Sequence, residues 1–267
     1  MTTPVVIAAT ARHTATLIFF HGLGDTGHGW ANSLGAIRPP HVKVICPTAP
    51  TMPVTLNTGF RMPSWFDIKS LDPSSEQDKE SIYRARDMVH SLIAEEVASG
   101  IPSKHIALGG FSQGGSLALY SALTFAEPVA GIVVLSAWLP LHTDFPAVSN
   151  TPLLQCHGDC DPIVQYKWGQ MTASYLKQFM TQTEFKTYSG MMHASCDDVR
   201  HLNNVNTRVR HLTQSPQITS RLCFLGASPC TFVYFYHYTN YVLFFGHTVR
   251  LYLIFFLDSL IIHIFYS

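Results

Sequence analysis

An α/β fold built on a doubly wound, mostly parallel sheet is what this chain of 267 residues predicts. Two observations predict it. Short apolar runs, suited to strands buried on both faces, alternate with longer segments of helical period up to about residue 190. That alternation is the pattern of parallel strands joined by helical crossovers. The motif Gly110-Phe111-Ser112-Gln113-Gly114 stands where one such strand hands over to a helix, at the strand end where open sheets of this kind carry their sites.

The elements follow in order. Thr16-Leu17-Ile18-Phe19-Phe20 reads as the first clear strand and Val42-Lys43-Val44-Ile45-Cys46 as the next, followed by a proline-rich loop from Pro47 to Pro53. A helix is expected from Ser74, with Gln77 at capping-box spacing. It carries Ile82, Ala85, Val89, Leu92, Ile93 and Val97 at helical period and stops before Gly100 and Pro102. Residues 105–109 form the strand before the motif, and residues 116–123 belong to the helix after it. Strands at 129–135 and 152–156, a helix over about 165–180, and a last strand at 184–188 complete the alternation.

Composition narrows the function. Seventeen basic and seventeen acidic side chains cancel, so neither nucleic acid nor a polybasic membrane contact is indicated. Six cysteines, at 46, 156, 160, 196, 223 and 230, form no disulfide framework. The start, Met1-Thr2-Thr3-Pro4, lacks a secretory signal. Reduced thiols and a cytoplasmic location are therefore expected. Cys156 and Cys160, with His157 and Asp159 between them, match no zinc spacing, so no metal is expected.

A serine on a sharp strand-to-helix turn is held in strained backbone with its hydroxyl exposed, as in a nucleophile elbow. Ser112 then needs a base, because a serine hydroxyl is a poor nucleophile at neutral pH. The base in turn needs a carboxylate to fix its tautomer and stabilise the imidazolium. In the chain order Ser, acid, His, the acid falls in Cys156-His157-Gly158-Asp159-Cys160-Asp161-Pro162, where Asp159 and Asp161 compete. The base falls in Gly190-Met191-Met192-His193. The loop Phe20-His21-Gly22-Leu23-Gly24-Asp25 follows the first strand and can aim backbone N–H groups at an oxyanion.

With these residues in view, the sequence resembles a known family. The segments His21-Gly-Leu-Gly-Asp-Thr-Gly-His-Gly-Trp30, Met62-Pro-Ser-Trp-Phe-Asp67, Gly109-Gly-Phe-Ser-Gln-Gly-Gly115, Leu135-Ser-Ala-Trp-Leu-Pro140, Leu154-Gln-Cys-His-Gly-Asp-Cys-Asp-Pro162 and Met191-Met-His193 are similar to the acyl-protein thioesterases. These are cytosolic serine hydrolases, also called lysophospholipase-like carboxylesterases. The likeness runs from about residue 4 to 202. It implies the α/β-hydrolase fold, with Ser112 as nucleophile, Asp161 as acid, His193 as base, and the backbone N–H groups of Leu23 and Gln113 as oxyanion hole. The implied substrates are palmitoylated (S-acylated) proteins, lysophospholipids and small esters. No cofactor is implied, because the serine mechanism needs none. An apolar acyl groove is expected at Trp138 and Leu139, with Leu23, Pro140, Leu141, Val54 and Leu56 as further candidates.

Two departures stand out. Family members often carry an acylated cysteine beside the initiator methionine, whereas this chain begins Met1-Thr2-Thr3. No such anchor is expected, and membrane contact would be transient. The second departure begins near residue 203. The hydrolase domain is expected over 1–202, with its closing helix, begun at 197–202, incomplete; residues 203–267 form a divergent tail rich in Phe and Tyr. All lysines lie at or before Lys186, and after Asp198 the only acidic residue is Asp258. From Leu222 to Val249 there is no Asp, Glu, Lys or Arg, long enough for a membrane span. The competing readings are a poorly ordered or loosely helical terminus without a role of its own. Because His193 lies just before the break, loss of the closing helix could displace the base, at about 10²-fold in rate. The alternatives to a thioesterase are thus a general carboxylesterase, a catalytically impaired product, or a non-catalytic binder of acylated proteins.

Overall fold

A computed structural model of the chain describes residues 3–72, 75–142 and 150–194, together with the backbone of four strands between 237 and 265. The chain divides into two compact units, Met1–Pro216 and Gln217–Ser267.

The first unit is built on a seven-stranded sheet of order β1-β3-β2-β6-β7-β8-β9. Its strands are β1 (Val5–Ile7), β2 (Ala15–Phe20), β3 (Val42–Cys46), β6 (Ile106–Phe111), β7 (Gly131–Leu135), β8 (Leu153–Gly158) and β9 (Thr183–Tyr188). Only β1 runs antiparallel, pairing Val6 with Ile45; the other neighbours are parallel. A separate hairpin, β4 (Thr51–Val54) with β5 (Phe60–Pro63), lies in the connection after β3. The helices are α1 (His28–Ile37), α2 (Lys79–Ala98), α3 (Gln113–Thr124) and α4 (Tyr166–Leu176).

Successive strand residues point to opposite faces, and both faces are covered. On one side Ile18, Phe20, Leu108 and Val134 pack with Ile82, Val89, Ile93 and Leu117. On the other Phe19, Val44, Ala107 and Val133 pack with Trp30, Ala31 and Leu34 of α1. This double coverage is why the strands read as unbroken apolar runs rather than alternating ones.

Several expectations are corrected. The helix expected from Ser74 starts at Lys79: Asp78 is the N-cap, its Oδ1 accepting from the Ser81 N–H at 3.3 Å. Gln77 instead accepts the Leu141 N–H at 3.3 Å, and Ser74 lies outside the described residues. Val97, assigned to the apolar stripe, is 43% exposed. The loop expected from Pro47 to Pro53 already enters β4. Strand β1 and helix α1 were not anticipated. Gly29 and Gly35 dilute the helical pattern of α1, and only Trp30, Ala31 and Leu34 are buried there.

In the second unit, β10 (His237–Tyr238), β11 (Tyr241–Phe245), β12 (Leu251–Leu257) and β13 (Leu260–Phe265) form one antiparallel sheet in chain order. The backbone of these segments is extended, not loosely helical. Their aromatic and β-branched residues favour strands. No helix among the described residues is long and apolar enough to cross a membrane. Most of the 222–249 stretch, and the helix start expected at 197–202, lie outside the described residues.

Candidate active site

Every sequence-derived reactive side chain sits at a carboxyl end of the sheet. Ser112 follows β6, Asp161 follows β8 and His193 follows β9. Ser112 has φ 53° and ψ −123°, a backbone state that a non-glycine residue adopts only under strain. The elbow is held from both sides: the Ser112 N–H donates to the Leu135 carbonyl at 2.8 Å, and its own carbonyl accepts the Ser116 N–H at 3.0 Å. Gly110 and Gly114 make the turn possible. A Cβ on Gly110 would meet the backbone of Gly114, and one on Gly114 would meet the carbonyls of Phe20 and His21.

His193 Nε2 lies 3.0 Å from Ser112 Oγ, and His193 Nδ1 lies 2.7 Å from Asp161 Oδ2. The ring packs on Phe111, centroids 4.8 Å apart. Asp161 is 5% exposed. Its Oδ1 accepts the N–H groups of Ile163 at 2.9 Å and Val164 at 3.0 Å, leaving Oδ2 for His193. Asp159 is turned elsewhere: its Oδ1 accepts the Gly190 N–H at 2.7 Å. That bond, the largest influence on it, holds the Asp159 carboxyl below its ordinary value. Neither aspartate caps α4, whose N-cap is Gln165. Geometry thus separates the two competitors. The His193 loop is tied to the Asp161 loop by the Gly190 bond and by the Cys160 N–H donating to the Met191 carbonyl at 3.1 Å.

The loop after β2 is fixed by a buried histidine. His21 Nδ1–H donates to the Gly22 carbonyl at 2.7 Å, and Nε2 accepts the Ala49 N–H at 3.0 Å. Burial pushes its imidazole below the ordinary value, so the ring is held neutral. The Trp65 indole N–H donates to the His21 carbonyl at 2.8 Å. Leu23, one of the two residues expected to supply oxyanion N–H groups, lines the same cleft as Ser112 and His193. The other, Gln113, is the first residue of α3, where backbone N–H groups lack intrahelical partners. Its side chain does something the sequence did not reveal. Nε2 donates to Ser64 Oγ at 2.9 Å and the Phe66 carbonyl at 2.7 Å, and Oε1 accepts the Trp65 N–H at 3.1 Å. The segment 64–66 is thereby pinned to the elbow.

The cleft over Ser112 has a volume of about 260 Å³ and is walled by Leu23, Leu56, Ile68, Leu71, Trp138, Ile163 and Val164. A second, much smaller hollow of about 40 Å³ shares Ile68, Leu71, Trp138, Ile163 and Val164 with it and continues to Phe66, Ile82 and Trp168. Of the groove candidates, Leu23, Leu56 and Trp138 line the cleft. Leu139, Leu141 and Val54 do not: all three are buried in the core. The Leu139 N–H donates to Thr172 Oγ1 at 3.0 Å, and at Leu141 the backbone turns with φ 49°. Ile163 and Val164 were missed as lining residues, although an Asp-Pro followed by apolar residues is a turn signature. Among the described residues, no group of three His, Cys, Asp or Glu side chains is arranged to hold a metal.

The family described as Phospholipase/Carboxylesterase matches residues 1–211. The acyl-protein thioesterase 1 of Neurospora crassa is 44% identical over 209 residues, covering 72% of this chain and 85% of that protein. The acyl-protein thioesterase 1 homolog 1 of Dictyostelium discoideum is 42% identical over 191 residues, covering 68% of this chain and 84% of that protein. Among solved structures, Zea mays acyl-protein thioesterase 2 superposes with a TM-score of 0.70 at 31% identity, over 77% of this chain and 98% of that one. Arabidopsis thaliana SOBER1 gives 0.68 at 31% identity, over 76% and 100%.

Proposed function

The chain belongs to the phospholipase/carboxylesterase family, and from that premise we propose that it is a serine acyl hydrolase that removes palmitoyl groups from S-acylated protein cysteines. The observation that carries the reading is the unbroken Ser112–His193–Asp161 hydrogen-bond chain opening onto an apolar cleft. Relatives named acyl-protein thioesterase support the thioester as the bond cleaved.

In this reading Ser112 Oγ attacks the acyl carbonyl while His193 Nε2 takes its proton. Asp161, already bonded to Nδ1, stabilises the imidazolium. The carbonyl oxygen becomes an oxyanion facing the N–H groups of Leu23 and Gln113. Collapse breaks the C–S bond, and the cysteine sulfur leaves with the proton from His193. Water, deprotonated by the same ring, then attacks the acyl-Ser112 ester and releases the fatty acid. The walls formed by Trp138, Ile68 and Ile163 offer the acyl chain an apolar bed. Lysophospholipids and small esters present the same carbonyl to the same groups, so a broader carboxylesterase activity on them accompanies the reading. Cytoplasmic residence fits Cys46, Cys156 and Cys160, none of which is joined in a disulfide among the described residues.

The acyl-enzyme provides the test. Mixing with a palmitoyl thioester, quenching in acid and digesting should leave the acyl group on the peptide that contains Ser112. Acylation of a different residue during turnover would sink the mechanism.

A further inference from the structure

His157 closes β8 fully buried, yet no step of the proposed reaction uses it. Its Nε2–H donates to the Val164 carbonyl at 2.7 Å, and the same nitrogen stands 3.5 Å from Asp161 Oδ2. The other ring nitrogen, Nδ1, is buried with no hydrogen-bond partner. It abuts Gly169 in the first turn of α4, where any Cβ would collide with it. A buried polar atom left unpaired costs stability, so the ring must return something through its other edge.

What it returns is visible at Val164. That residue is tied twice: its N–H donates to Asp161 Oδ1, and its carbonyl accepts from His157. The ring therefore closes the 157–164 loop around the carboxylate. We propose that His157 is a positioning residue for the acid, its Nε2–H edge fastening the loop so that Asp161 Oδ2 is aimed at His193. The proposal rests on reading Ser112, His193 and Asp161 as the reacting groups.

The tautomer is dictated, because a carbonyl oxygen only accepts. Nε2 must carry the proton, and Nδ1 stays bare. Burial, the largest influence, pushes the imidazole below its ordinary value; the Val164 carbonyl and Asp161 pull it upward, and His193 pushes it down further. Two further neighbours of the ring among the described residues are neutral: the Tyr166 ring, 5.9 Å away, and the backbone of Gly169. A neutral ring fastens the loop without cancelling the charge that Asp161 presents to His193. A protonated ring would compete with His193 for that carboxylate.

The test compares His157→Leu, which removes the donor, with His157→Gln, whose Nε2 can replace it. Two quantities are read: kcat and KM on a thioester, and the far-downfield proton resonance of the His193–Asp161 hydrogen bond. In the leucine variant kcat should fall about tenfold to a hundredfold, with KM within about twofold and the resonance shifted or broadened. The glutamine variant should recover most of kcat and the native resonance. A folded leucine variant with native kcat and native resonance overturns the proposal. If the leucine variant does not fold, the glutamine variant decides, and a folded glutamine variant with the same loss also overturns it. The resonance needs no substrate, so a wrong substrate assignment cannot mask the result.

Discussion

Gly114 lies so close to the carbonyl oxygen of Phe20 that no Cβ fits between them. The contact sets the first turn of α3 directly against the end of β2, and so brings Ser112 beside the loop that carries Leu23. Backbone stands on both sides, so no side chain can yield. Gly114→Ala should therefore cost about 1–3 kcal/mol, the ordinary penalty of overpacking, and should lower acyl transfer by more than the fraction unfolded accounts for. Denaturant melts beside initial rates check this. An alanine variant with native stability and native rate would contradict the packing described.

Asp161 and Asp159 differ in what they touch, and substitution should separate them. Asp161 faces His193, whereas Asp159 faces the Gly190 N–H. Asp161→Asn keeps the shape but offers His193 the wrong partner, and kcat should fall by about 10⁴-fold, as in other triads. Asp159→Asn should change kcat by only a few fold, roughly the scale of a surface substitution. Parallel kcat measurements on the two variants check the assignment.

Trp138 lines the cleft over Ser112 and also the smaller hollow that shares its wall. Trp138→Glu places a charge where a fatty chain would lie. Relative kcat/KM for a series from acetyl to palmitoyl thioesters should drop for long chains and hold for short ones. Each methylene lost from apolar burial is worth about 0.8 kcal/mol, so the effect should steepen with chain length. A uniform loss across the series would place the chain elsewhere.

The buried histidines predict how stability follows pH. His21 and His157 both have folded-state values depressed, chiefly by burial. Above about pH 6.5, the ordinary histidine value, they are neutral in both states and contribute nothing to the slope. Below it the unfolded chain takes up protons that the folded chain refuses, so stability falls as pH falls. Each such group contributes a slope of up to about 1.4 kcal/mol per pH unit. Melting temperature should therefore drop between pH 7.5 and 5.5, and less steeply in His157→Gln. A flat profile over that range would mean these rings take up protons in the fold.

Much of the site was legible because strained turns use few residue types. A serine between Gly110 and Gly114, after an apolar strand, has little choice but an elbow, and the strands around it are apolar on both faces. The choice between Asp159 and Asp161 was not legible from spacing, since both stand in one loop and only the turn at Ile163 and Val164 aims one of them at His193. The role of the Gln113 side chain was hidden for a related reason: its partners, Ser64 and Phe66, lie far off in sequence. Leu139 was misread because an apolar residue beside Trp138 suits a groove wall and a core equally well. Helix α1 escaped notice because its two glycines weaken the period on which the reading relied.

The reading as a thioesterase is tested most directly by hydrolysis of a palmitoyl-thioester peptide by the full chain, with Ser112→Ala as control. The geometry of Ser112, His193 and Asp161 predicts turnover that disappears in the alanine variant. Folded protein that binds the peptide but does not turn it over would contradict the proposal, and would leave the chain as a non-catalytic binder of acylated proteins.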